Sequence, residues 1–326
     1  MPSDPSPLPG LEQPLKYLTD KDRESVDRFF AEYVKAKKLL FDPRDGVPSK
    51  GSLYHYTTGE NLVRIIESQE LWCTQISCLN DTMEFTYAVE ELQKRVEPKL
   101  TERRGQALDP FLKGLDQYLL APNPETTLFF VTCFSESGDD LSQWRAYARG
   151  EGGYAIQFDP IKLFLAAISE PIAQMLMRVE YDPREHDTFF TDVLRKGEEF
   201  FNALEGAGNA TPEDWAAEFV RFWLLNLQYL APCLKHPKFE SEHEWRFVYP
   251  LRRDDAKRME FRQRQSMMTR HIPLRLKKPL PISGVIVGPC RHPQLSRVAV
   301  GDLLKKFDYD PELVKVSVTQ VPYRAI

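Results

Sequence analysis

The chain has 326 residues, 42% of them hydrophobic and 28% charged, with a net charge of −5. These proportions support an ordinary buried core and exclude global disorder; the length fits about two domains of roughly 150 residues, or one large domain with an appendage. No apolar run approaches the roughly 18 residues of a bilayer-crossing helix, so no membrane association is expected.

The first thirty residues are polar and acidic, with no basic-then-apolar leader. Cys73, Cys78, Cys133, Cys233 and Cys290 are odd in number and form no close CxxC pair. Reduced thiols in a cytoplasmic protein are the expectation, without a disulfide framework or zinc knuckle. The charge is uneven. Between Arg252 and Lys278 ten basic residues face three acidic ones, an excess of seven that leaves the rest of the chain at −12. Such a segment is either a solvated basic helix or loop, or a docking site for an anionic partner.

Residues 1–14 hold five prolines and read as a loose arm. Val26, Phe29, Phe30, Tyr33, Val34 and Leu39 recur at helical spacing, predicting a helix over 20–40. The turn-rich stretch 41–52 reads as a linker. Ser52 to Tyr56 predicts a short strand that breaks at Thr57, where Thr57 and Glu60 have the spacing of a capping box. A helix follows through Leu62, Ile65, Ile66 and Leu71. Asn80, Asp81 and Glu84 start another, running to about Val96, and 100–127 mixes helical and loop character.

Residues 128–134 predict a buried strand that ends in a polar loop, and 142–150 a short helical piece. A strand is expected over 153–159. From Pro160 to about Leu234 the pattern is mainly helical, with one short strand candidate at Arg178 to Tyr181. In 244–250 the pattern alternates: Trp245, Phe247 and Tyr249 on one side, Glu244, Arg246 and Val248 on the other. Strands over 284–288 and 313–321 flank a helix from Val298 to Phe307. Helices cluster in blocks between strands, which favours an α+β fold over a doubly wound parallel sheet.

No P-loop, GxGxxG, HExxH or GxSxG motif is present. The six histidines are dispersed, so no metal site is expected; Asp139, Asp140 and the Glu240, Glu242 and Glu244 cluster leave a metal-dependent nuclease as a remote alternative. Three segments carry the remaining chemistry. His55 stands at a strand end beside a helix N-terminus, which suits a ribose hydroxyl and a nearby phosphate. Ser135, Trp144, Arg145 and Tyr147 follow a buried strand, where rings suit a flat base and the arginine a phosphate. Glu242 and Glu244 open another strand at i, i+2, a spacing that on an extended chain directs both carboxylates to one face.

In their order along the chain, LYHYTTGENLVRIIESQELW, CFSES and EHEWRFVYP resemble the ADP-ribosyltransferase superfamily. There a His- or Arg-bearing strand precedes a helix, a second strand ends at Ser or Tyr, and a last strand opens on Glu-x-Glu. The combination H-Y-T, L-N-D-x-x-E, C-F-S-E, W-x-x-Y-A, G-x-x-I-x-F and E-x-E-W-R, over roughly 52–290, also closely resembles a bacterial family of domains of unknown function, number 2971.

The wider resemblance implies an ADP-ribosyltransferase-like split β-sheet core. Residues 1–50 would form an N-terminal arm and helix, and 51–326 one domain with a helical insertion at about 160–235. It implies NAD as substrate, no metal, and Glu244 and Glu242 as catalytic residues. His55, Tyr56, Thr57, Ser135, Trp144, Arg145 and Tyr147 would bind NAD, with Ser135 orienting Glu244. A protein or nucleic-acid acceptor would dock through 252–278, and a toxin or anti-phage role would call for an antitoxin or regulatory partner. A non-catalytic nucleotide- or RNA-binding sensor is the main alternative.

Overall fold

A computed structural model describes residues 16–42, 51–79, 83–105, 109–120, 129–147, 152–167, 175–204, 211–250, 257–264, 267–274 and 276–322. Helix α1 (Asp20–Ala36) starts where expected because Thr19 and Asp22 form a reciprocal capping box. Strand β1 (Leu53–Thr58) runs two residues past its expected end at Tyr56. Helix α2 (Gly59–Ser68) is capped by the hydroxyl of Thr58, not Thr57, which leaves Thr57 buried in the strand.

Helix α2 also stops short of Leu71. Gln69 turns left-handed at φ 58°, and its side chain offsets that conformation by donating to the Ile66 carbonyl (2.7 Å) and accepting from the Leu280 amide (2.8 Å). Leu71 then opens strand β2 (Leu71–Gln75), which periodicity had merged into the helix.

Helices α3 (Met83–Glu102) and α4 (Asp109–Leu120), strand β3 (Phe129–Ser135), helix α5 (Leu141–Tyr147) and strand β4 (Gly153–Phe158) follow. The expected helix start at Asn80 and Asp81 lies outside the described residues. So do the Pro-rich arm and most of the linker.

The expected insertion holds helix α6 (Pro160–Ala167), strand β5 (Met175–Arg178) and helices α7 (Pro183–Ala203) and α8 (Pro212–Leu230). Strand β6 (Glu244–Pro250) carries the alternating motif. Among the described residues the middle of the basic segment is neither helix nor loop: it forms the antiparallel strands β7 (Glu260–Arg264) and β8 (Met267–Leu274), while 257–259 and 276–278 are turn or irregular. Strand β9 (Ile282–Val287), helix α9 (Pro293–Lys306) and strand β10 (Lys315–Val318) follow.

The fold is therefore α+β, with a mostly antiparallel sheet of ten strands among the described residues, in which β10 pairs parallel to β9. The order runs β10-β9-β4-β1-β3-β2-β8-β7, and β6 lies on the other edge of β3 with β5 beyond it. Cross-strand partners share a face. One face presents Leu53, Phe130, Phe134, Trp245 and Phe247 to Leu62 and Ile65 of α2, Leu163 of α6 and Leu304 of α9.

The opposite face divides in two. Val131, Met177 and Val248 meet a helical core containing Phe30, Leu92, Phe111, Phe190 and Trp223. Tyr56 and Ala155 meet Trp144 of α5. Helix α1 belongs to the helical core through Val26, Phe30 and Val34, and the carboxylate of Glu218 in α8 accepts the Lys16, Tyr17 and Leu18 amides at 2.7–2.9 Å.

Candidate functional site

Strand β3 shares one edge between two partners. Ser135 pairs with Tyr54 of β1, whereas Phe130 and Val131 pair with Gln75 and Thr74 of β2. The two partners splay apart, and backbone carbonyls of β3 and β2 at the split are served by side chains. The His55 ring bonds the Cys133 carbonyl through Nδ1 (2.9 Å), and the Thr132 hydroxyl donates to the Trp72 carbonyl (2.9 Å). Since a carbonyl only accepts, His55 Nδ1 carries the proton and Nε2 presents a lone pair. Burial pushes the His55 pKa below the usual imidazole value and keeps the ring neutral.

Two cavities meet at this split. One, of about 140 Å³, is bounded by His55, Thr57, Asn61, Trp72, Thr132 and Arg262. The other, of about 40 Å³, is bounded by Tyr54, Ser135, Gln143, Glu242 and Glu244. His55, Tyr56, Cys133 and Tyr147 line both. By strand alternation His55 belongs to the face of Phe134, while Tyr56, Ser135 and Glu244 belong to the opposite face. The divergence of β1 from β3 brings residues of both faces to one opening.

Glu244 is buried and heavily bonded. Arg246 approaches it bidentately, Nε to Oε1 at 3.0 Å and Nη2 to Oε2 at 2.7 Å. Lys235 Nζ lies 3.0 Å from Oε2, and the Cys133 thiol also donates to the carboxylate. A carboxylate offers about four acceptor positions, so these four donors fill it. Burial alone raises a carboxyl pKa, but Arg246 and Lys235 outweigh it and hold Glu244 ionised, down to about 2.

Glu242 closes a 3₁₀ turn (Pro237–Glu242), and His243 follows in a left-handed conformation. The two glutamates therefore do not converge by strand alternation. Lys235 joins them, with its Nζ 2.7 Å from Glu242 Oε2. Arg246 is fully buried and also donates to the Pro232 carbonyl at 2.7 Å. Two acids and two bases thus form one network, buried except at Glu242.

Ser135 stands opposite Glu244 in register, but its hydroxyl donates to the Glu242 carbonyl (2.7 Å) and accepts the Ser137 amide (3.0 Å). It orders the chain entering β6 instead of orienting the Glu244 carboxylate. Tyr56 donates to the Ser137 carbonyl (2.7 Å) and accepts the Asp140 amide (3.1 Å), and burial raises its pKa.

Trp144 has no exposed surface, donates to Asp139 (2.7 Å) and packs edge-on against Tyr56; it lines neither cavity. Tyr147 is the ring of α5 that reaches the opening. Arg145 is exposed on the same helix, away from both linings.

Two acids of the nuclease alternative, Asp139 and Asp140, are spent on structure. Asp139 accepts from Trp144, the Thr319 hydroxyl and the Gln320 amide (2.8 Å), and Asp140 accepts the Ser142 (2.8 Å) and Gln143 (3.3 Å) amides at the start of α5. Among the described residues no three His, Cys, Asp or Glu side chains gather as a metal-binding group. No described helix is long and apolar enough to cross a membrane.

Lys235, Cys133, Gln143, Asn61 and Trp72 were not singled out from sequence. Arg246 had a local signal in its i, i+2 spacing from Glu244. Lys235 had none, since nine residues and a turn separate it from its partner.

Residues 143–247 are similar to the family described as protein of unknown function (DUF2971). The chain matches no curated protein and no solved structure. The matched stretch runs from α5 to β6, so it contains Tyr147, Lys235, Glu242, Glu244 and Arg246 but neither His55 nor Ser135.

Proposed function

We propose that this protein binds NAD at the split between β1 and β3 and transfers ADP-ribose to an acceptor. The reading rests on one observation. Three segments far apart in sequence deliver His55, Ser135, Glu242 and Glu244 to one opening, from the adjacent strands β1 and β3 and from the turn into β6 and its first residue. The shared edge of β3 is the feature that fits a split-sheet core of the ADP-ribosyltransferase kind.

Cleaving the nicotinamide–ribose bond builds positive charge on the sugar. Glu244 is ionised and aimed into the smaller cavity, where it would face that charge. To accept a ribose hydroxyl it must release a donor, and the Cys133 thiol is the weakest of its four. The His55 Nε2 lone pair suits a second hydroxyl, Thr57 bounds the same cavity, and Tyr147 offers a ring for the nicotinamide. Glu242 is the more accessible acid of the pair, suited to taking the acceptor's proton. The cavities fall short of the roughly 300–1,000 Å³ of whole-ligand pockets, so they would take the nicotinamide riboside half.

The test is release of free nicotinamide from NAD, with labelled ADP-ribose followed onto protein, RNA and DNA. His55→Ala and Glu244→Gln, each at a temperature where circular dichroism shows it folded, should lose at least 100-fold in rate, on the order expected for removing an electrostatic stabiliser. No nicotinamide release by the unaltered protein with any acceptor class would refute the proposal.

The four-donor filling of Glu244 favours a second reading, a sensor that binds the nucleotide without turning it over. Calorimetry would then show NAD or ADP-ribose binding that His55→Ala abolishes, with no nicotinamide released.

A further inference from the structure

We infer that the β7–β8 ribbon is a docking surface for single-stranded nucleic acid. Among the described residues strand β7 ends the sheet. On one face of the ribbon Phe261 stands opposite Arg270, and Gln263 opposite Met268. Phe261 is 63% exposed and Met268 66%. Soluble proteins seldom place two large apolar side chains together on a terminal strand pair, because such an edge invites association.

The composition around the patch selects the partner. Arg258, Arg262 and Arg270 lie on or beside these two strands, Arg270 on the face of Phe261 and donating to Gln75 (2.8 Å), within the segment that carries seven excess positive charges in an otherwise acidic chain. An aromatic face with flanking arginines is the arrangement that stacks bases and tracks phosphates without reading sequence. A protein strand added to the edge would use the apolar groups but not the charge.

The ribbon also adjoins the opening at the split. Its other face carries Arg262, which donates to Thr74 (2.7 Å), lies over the Trp72 ring (5.0 Å) and, with Gln263, bounds the larger cavity. Phe261 and Met268 lie on the opposite face of the ribbon from Arg262, and Gln263 is the residue of their own face that also bounds the cavity. That the bound strand is the acceptor rests on the transfer proposed above. That it binds does not.

The test uses the full chain, without NAD, and fluorescence anisotropy of labelled oligothymidine and oligouridine between about 50 and 200 mM salt. Binding should weaken with salt at about −0.7 in log–log slope per phosphate contacted. Phe261→Ala should weaken it about five- to hundredfold, the range of one lost base stack, and Arg270→Gln should flatten the salt slope. Leu313→Ala, an exposed apolar residue elsewhere, should leave affinity unchanged.

No binding at the lowest salt overturns the inference. So does equal affinity of Phe261→Ala, or equal competition by polyglutamate, which would mark a general polyanion or acidic-protein surface. Oligonucleotide binding without NAD turnover would leave this inference standing and remove the transfer reading. Turnover without oligonucleotide binding would do the reverse.

Discussion

Replacing Glu244 by glutamine tests the architecture before it tests any chemistry. The substitution removes one negative charge from a network of two acids and two bases. Lys235 keeps Glu242 as a counter-ion. Arg246, with no exposed surface, keeps the neutral Pro232 carbonyl among the contacts described above. Breaking a buried pair by deleting one partner costs about 3–5 kcal/mol. At roughly 2–4 °C per kcal/mol for a domain of this size, the melting temperature should fall by about 10 °C. Arg246→Met should cost a similar amount, because it strands Glu244 with Lys235 and a thiol.

The double variant Glu244→Gln/Arg246→Met should be much less impaired than the sum, giving a coupling energy of about 3 kcal/mol. Urea denaturation of the four proteins measures it. Single variants costing under about 1 kcal/mol each would show the pair to be as weak as a surface ion pair, and Glu244 would not be the saturated carboxylate described here. The same measurement guards the activity test, since a lost rate in Glu244→Gln means nothing unless the protein is folded.

The acid limb of stability should carry the same signature. The folded-state pKa of Glu244 lies near 2, below its ordinary value of 4.5, so its contribution is present above about pH 4.5 and lost as pH falls towards 2. About 3 kcal/mol should disappear across that window in the parent and far less in Glu244→Gln, read from urea midpoints at stepped pH. Gly288→Ala should destabilise by about 1–3 kcal/mol, because a Cβ there would sit 2.7 Å from the Trp144 ring and 2.9 Å from the Gly153 carbonyl; an unchanged melting temperature would mean that the Trp144 pocket is loose. Glu218→Gln should cost about 2 kcal/mol and speed amide exchange at Lys16–Leu18, whose three amides its carboxylate accepts. Exchange rates equal to the parent's would show that segment to be held by packing alone.

Much of the site could be read in the chain, because its motifs are local. An alternating run such as EWRFVYP names its strand and both its faces without help, and a Thr-rich turn before an amphipathic run names a helix start to within one residue. Strands β2, β7 and β8 were not legible. Leu71 continues the helical spacing of α2, and only the left-handed turn at Gln69, stabilised by distant Leu280 and Tyr309, ends the helix there. The basic composition around Arg262 and Arg270 reads as a solvated helix or loop because what makes it sheet is pairing of β8 with β2, some two hundred residues earlier in the chain.

What the sequence determined by itself was class, most element types and the candidate residues, all properties of neighbours along the backbone. The tertiary structure decided which of them meet. It divided β3's edge between two strands and so opened the cleft. It buried Trp144 and left Tyr147 at the surface of that cleft, and it set Lys235 between two carboxylates. Each of these depends on non-local pairing and on competition for a limited number of hydrogen-bonding positions, which no stretch of the sequence carries alone.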